Sequence, residues 1–135
     1  IPAPGWRFTE WGGDASGSVN PKTLTIDEDT HVVATFVRVE YTLTVSIDGQ
    51  GQVSQDPQQP TYYYGDQVTL TASHDPGWAF DGWSGDTGGS KNPKTLTIGG
   101  NTQVTAHFIQ RPYTLSIQIV GQGSVERDPN QSAYY

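Results

Sequence analysis

The 135-residue chain has no cysteine and no methionine, and charged residues make up only 16% of it, against about a quarter in ordinary soluble domains. Without cysteine there are no disulfides, no thiolate metal sites and no cysteine nucleophile. Cations are the scarcest charge: 7 Lys and Arg face 14 Asp and Glu, for a formal net charge of -7. Nucleic acid binding needs clustered cations to neutralise phosphates, so nucleic acid is not an expected partner. No apolar run approaches the roughly 20 residues of a helical membrane span, and none is expected in this segment. The chain opens on Ile1 with no leader-like segment, which reads as an excerpt from something longer.

Thr, Ser, Gln and Gly fill the space that charge leaves. With 33% hydrophobic residues, 16 Gly and 9 Pro, such a chain could be disordered. Four Trp, seven Tyr and four Phe argue against that, because disordered tracts are poor in aromatics. A Thr-rich, aromatic-rich, Gly-punctuated composition points to an all-β fold.

The sequence repeats itself. Gly5-Trp6 returns as Gly77-Trp78, the run Asn20–Ile26 as Asn92–Ile98, Tyr41-Thr42-Leu43 as Tyr113-Thr114-Leu115, and Tyr62-Tyr63 as Tyr134-Tyr135. Each pair is 72 residues apart, and residues 1–63 slide onto 73–135 without a gap, with 33 identities. The complete unit is taken as 41–112, with 1–40 as the C-terminal part of a preceding unit and 113–135 as the N-terminal part of a following one. Together they fall nine residues short of two full units, the missing stretch corresponding to Tyr64–Ala72.

Within the unit, apolar residues alternate with period two. Tyr41, Leu43, Val45 and Ile47 share one face, and Gly49-Gln50-Gly51 turns the chain into a return strand from Gln52. Val68, Leu70 and Ala72 alternate next, then Trp78 and Phe80, then Leu96 and Ile98, then Val104, Ala106 and Phe108. Trp83 breaks the parity beside Gly82, which predicts a bend or bulge. Asp75-Pro76-Gly77 fits a β-turn. Six short strands with one apolar face each predict a small antiparallel β-sandwich or barrel-like domain, repeated in tandem. The connectors Val37–Glu40 and Ile109–Pro112 lack Gly and Ser, so a semi-rigid row of beads is expected rather than flexibly linked units.

The ordered run Asp75–Asp86, then Asn92-Pro93, Leu96-Thr97-Ile98 and Val104–Phe108 resembles the divergent internalin (InlB-type) B-repeat, a bacterial surface-protein module. The partial units carry the same marks at Gly5-Trp6, Phe8, Trp11, Gly13-Asp14, Asn20-Pro21, Ala34 and Phe36. Trp11-Gly12-Gly13 departs from the Trp83-Ser84-Gly85 of the other copy, and the cysteine pair of some relatives is absent. The resemblance implies export, tandem arrays and display at the cell surface; it implies no catalytic residues and no cofactor.

The residues themselves offer little chemistry. His31, His74 and His107 are replaced by Gln103, Pro2 and Thr35 in the other copy, as expected of solvated surface histidines, and no spacing supports a Ser-His-Asp triad. Asp14 and Asp86 occupy the same place in a Gly-Asp loop. They are candidate calcium ligands, set against an ordinary role in turn hydrogen bonding. The cluster Asp27-Glu28-Asp29 becomes Gly99-Gly100-Asn101 in the other copy, which suits a solvated tip. The tryptophans are expected mostly in the core. Tyr62, Tyr63 and Tyr64 are candidate ligand contacts, since neighbours on a strand point to opposite faces.

Three roles follow as expectations. The first is a non-catalytic spacer or stalk of an exported bacterial surface protein, its partners being neighbouring units. The second is a filament or sheath subunit that pairs with other copies of itself by strand addition. The third is an adhesin module that binds a glycan or protein through exposed aromatics.

Overall fold

The computed structural model describes residues 1–135, which form eight β-strands and no helix. In order these are β1 (Trp6–Gly13), β2 (Val32–Arg38), β3 (Leu43–Asp48), β4 (Gly51–Asp56), β5 (Gln67–His74), β6 (Trp78–Gly85), β7 (Lys94–Thr97) and β8 (Thr102–Gln110). Six of them, β3 to β8, make two three-stranded sheets ordered β3-β8-β6 and β4-β5-β7. Strands β1 and β2 form a separate antiparallel pair whose residues correspond in the repeat to β6 and β8.

The two sheets face each other across one apolar layer. Val104, Ala106 and Phe108 of β8 and Trp83 of β6 meet Val68, Leu70 and Ala72 of β5 and Leu96 of β7. Tyr62 and Ile98 complete the cluster from the loops. Period-two alternation puts these side chains on one face of each strand, and the sandwich buries both faces. On β3 the same alternation holds for Leu43 and Val45, whereas Ile47 at the strand end is 46% exposed.

Pairing departs from the antiparallel expectation in one place: β3 runs parallel to β8, with Leu43 opposite Thr102 and Asp48 opposite His107. The turn after β3 is consequently not a hairpin. Its two flanking strands belong to different sheets, and the chain arches from one to the other at Gly49-Gln50. Two glycines make this arch possible. A Cβ on Gly51 would come within 2.5 Å of the Phe108 ring, and Gly49 holds a φ of +94° with its α-carbon packed over the Phe108 carbonyl. Only glycine allows both the close approach and that dihedral.

The parity break at Trp83 is a β-bulge. Phe80 lies opposite Phe108 but Gly82 lies opposite His107, leaving Asp81 without a partner. The extra residue brings Phe80 and Trp83, three apart in sequence, onto the same face. Their rings sit 5.0 Å apart, with Phe80 edge-on to Phe108 at 5.7 Å. Strand β1 repeats the device between Phe8 and Glu10, and Phe8 lies 5.0 Å from Trp11 and 5.6 Å from Phe36. The Asp75-Pro76-Gly77 turn is closed by the Trp78 amide donating to Asp75 O at 3.0 Å, with Gly77 at a φ of +82°.

Residues 115–128 repeat the alternation of β3 and β4, yet they form no strand. In residues 41–112 those two strands are held by β8 and β5, whose free edges are already taken. The segment 113–135 holds the bridge between Tyr113 and Tyr134, and the Tyr134 hydroxyl donates to Pro129 O at 2.9 Å.

Two substitutions test this packing. Trp83→Ala removes a side chain that is 4% exposed and is expected to cost about 3–5 kcal/mol. Gly51→Ala forces a methyl group onto the Phe108 ring and is expected to cost about 1–3 kcal/mol. Denaturant unfolding followed by tryptophan fluorescence reads both.

Candidate functional site

Side chains of three adjacent strands meet on the outer face of the β3-β8-β6 sheet. His107 on β8 lies with Nδ1 2.9 Å from Asp48 Oδ2 on β3 and Nε2 2.6 Å from Ser84 Oγ on β6. Spacing gave no hint of this, since Asp48 and His107 are far apart in sequence and only the parallel register makes them neighbours. The order of groups is that of a Ser-His-Asp triad, but its setting differs. The Asp48 side chain is 73% exposed and that of His107 35% exposed, so water screens the carboxylate that would have to orient and stabilise an imidazolium. None of the five surface cavities is lined by Ser84 or His107. The arrangement acts as a clip that fastens β3 across β8 to β6. The other copy has Gly12 at the Ser84 position and Thr35 at the His107 position.

The two aspartates of the Gly-Asp loops take identical positions. Asp86 Oδ2 accepts from the Gln103 amide at 2.7 Å, while the Asp86 amide donates to Gln103 O at 2.8 Å. Asp14 makes the same pair of bonds with His31, both at 2.8 Å. These carboxylates therefore cap a strand pair rather than their own turn. The rest of the loop is braced in both copies by an indole: Trp83 Nε1 donates to Lys91 O at 2.9 Å and Trp11 Nε1 to Val19 O at 3.0 Å. Lys94 and Lys22 add bonds to Gly88 O and Ser16 O. Asp14 also borders a cleft of about 340 Å³ with Asp27, Glu28 and Asp29. At the Asp86 cleft the corresponding positions are Gly99, Gly100 and Asn101. In neither place do three His, Cys, Asp or Glu groups converge closely enough to hold a metal ion.

The three tyrosines have three fates. Tyr62 is 1% exposed. Its hydroxyl donates to Pro57 O at 2.8 Å and accepts from the Gln59 amide at 3.1 Å. As a buried and satisfied core residue it offers no surface to a ligand, which corrects its place among the candidate contacts. Tyr63 and Tyr64 instead reach the preceding repeat. The Arg38 guanidinium lies 5.5 Å from the centre of the Trp6 ring and 5.3 Å from that of Tyr63. The Tyr63 hydroxyl lies 3.4 Å from Glu40 Oε1, and a Cβ on Gly5 would fall 2.3 Å from Cβ of Tyr64. Sequence reasoning missed this joint because Arg38 is replaced by Gln110 in the other copy and its two aromatic neighbours come from different repeats.

Fold, bulge and braced loop together define a tandem all-β repeat. The chain belongs to the divergent InlB B-repeat family, whose profile it matches over residues 1–40 and 41–112. This is a family of bacterial surface-protein repeats. No curated protein and no solved structure gives a match.

Two substitutions separate brace from clip. Asp86→Ala removes a charged acceptor from a backbone amide and is expected to cost about 1 kcal/mol. His107→Ala breaks an exposed pair and is expected to cost about 0.2–1 kcal/mol. Thermal melting reads both, and melting of the parent chain is expected to be the same with added calcium as with chelator.

Proposed function

We propose that this chain is a non-catalytic spacer, a segment of a stalk that holds another part of an exported bacterial protein away from the cell. Membership of a family of surface-protein repeats supports the setting. The observation that carries the reading is the joint between residues 1–40 and 41–112, taken as consecutive repeats. A spacer needs units that keep a fixed angle under load. The connector here is short, and three kinds of contact hold it. Val39 donates its amide to Gly5 O at 2.8 Å on one side, and Tyr41 exchanges two backbone hydrogen bonds with Tyr62 on the other. Arg38 stacks between rings of the two repeats, an arrangement worth about 0.5–1 kcal/mol at an exposed site. Gly5 lets Tyr64 pack directly on the turn before β1. The low charge and the Thr- and Gln-rich outer faces suit a rod that must stay soluble outside the cell.

Sedimentation velocity with small-angle scattering tests the reading. The expected outcome is an elongated, concentration-independent monomer with little hinging. Gly5→Ala, which meets Tyr64 and is strained at a φ of +76°, is expected to broaden the distance distribution without unfolding residues 41–112. A freely hinged parent chain would defeat the spacer. Growth into large species with concentration would instead favour a filament subunit that adds strands between chains.

A further inference from the structure

We infer that the joint between repeats is a binding site for a neutral sugar unit of a polysaccharide. The joint encloses a cleft of about 270 Å³ whose working side chains are Trp6, Arg38, Tyr63, Tyr64 and Asp66. That is just below the ~300 Å³ at which sites for drug-sized ligands begin, so it suits one ring held at the surface. Two aromatic walls are open to solvent, Trp6 at 41% and Tyr64 at 52%. A pyranose presents an apolar face of C–H groups that packs against such rings, with hydroxyls around its rim.

The polar groups of the cleft have the complementary chemistry. The Arg38 guanidinium makes no hydrogen bond and no ion pair within the chain; its partners are the Trp6 and Tyr63 rings it lies over. A guanidinium fixed between two rings loses little freedom when its N–H donors engage a ligand. Asp66 is committed through one oxygen only, Oδ2, which accepts from the Tyr63 amide at 2.8 Å. Its other oxygen is a free acceptor. A donor and an acceptor beside an aromatic wall match neighbouring hydroxyls, each of which both gives and takes a hydrogen bond.

Charge selects the neutral ligand. The chain carries -7 overall, Asp66 lies in the cleft, and Glu40 sits beside the Tyr63 hydroxyl. These carboxylates repel uronates and other anionic glycans, while Arg38 disfavours cations. The site also needs two consecutive repeats, because Trp6 and Arg38 come from one and Tyr63, Tyr64 and Asp66 from the next. A shallow, solvent-open site of this kind binds weakly, and a tandem array multiplies it through effective concentration. The inference stands apart from the spacer reading, since a flexible chain could bind and a rigid one could fail to.

The test is ¹⁵N-edited NMR on the full 135-residue chain, titrated with cello-, xylo-, malto- and galacto-oligosaccharides and with an oligogalacturonide. The expected result is saturable shifts at residues 6, 38, 63, 64 and 66 with at least one neutral series, and much weaker shifts with the uronate. Arg38→Gln installs the residue that Gln110 provides in the other repeat, so it is expected to fold; it and Tyr64→Ala should each weaken binding at least tenfold. Absence of saturable shifts with every neutral series overturns the proposal. So does preference for the uronate, saturation away from the joint, or binding that survives both substitutions in chains whose spectra remain folded.

Discussion

Strand β8 is the member on which the repeat hangs. It is the middle strand of its sheet, bonded to β6 in one direction and to β3 in the other, and its inward side chains Val104, Ala106 and Phe108 are among the most buried in the chain. Parallel pairing with β3 ties the opening of the repeat to its close. Strands joined in parallel cannot be linked by a tight turn, so the intervening chain must travel far, and here it builds the opposing β4-β5-β7 sheet on the way. The arch at Gly49-Gln50 starts that journey, and Phe108 packs beneath it. One strand thus sets the connectivity, the second sheet and the need for glycine at the arch.

A second constraint is the supply of apolar side chains. With only 33% hydrophobic residues, the sandwich needs large rings to fill its interior. The bulge at Asp81 puts two of them, Phe80 and Trp83, on a single face. The Trp83 indole then serves twice, filling the core with its ring and bracing the following loop with its N–H. Buried Tyr62 follows the same economy, its ring inside and its hydroxyl satisfied by Pro57. Polar residues remain outside, and no buried side-chain polar atom is left without a partner.

The proposed function rests on how one repeat meets the next. A small domain without disulfides is marginal by itself, and stacking on a neighbour compensates for that in tandem arrays. Here the contact is partly polar and partly aromatic, made by Arg38 between Trp6 and Tyr63 and by Tyr64 against Gly5. Such a joint orients consecutive repeats and leaves a cleft between them. The same side chains carry both the proposed spacer role and the proposed sugar site.

The all-β class, the six strands of residues 41–112, the bulge beside Gly82 and the turn at Asp75–Gly77 were all legible in the sequence. Each rests on local rules: alternation, parity and the dihedrals that Pro and Gly prefer. The family was legible too, because an ordered set of Trp, Gly, Asp and Asn-Pro positions repeats at a fixed distance. The equal roles of Asp14 and Asp86 could be guessed from register, but their partners His31 and Gln103 could not. Pairing is where local rules stop. Nothing in the alternation of Leu43, Val45 and Ile47 says which strand lies alongside or in which direction, so the parallel register and the Asp48–His107–Ser84 clip had to come from the tertiary structure.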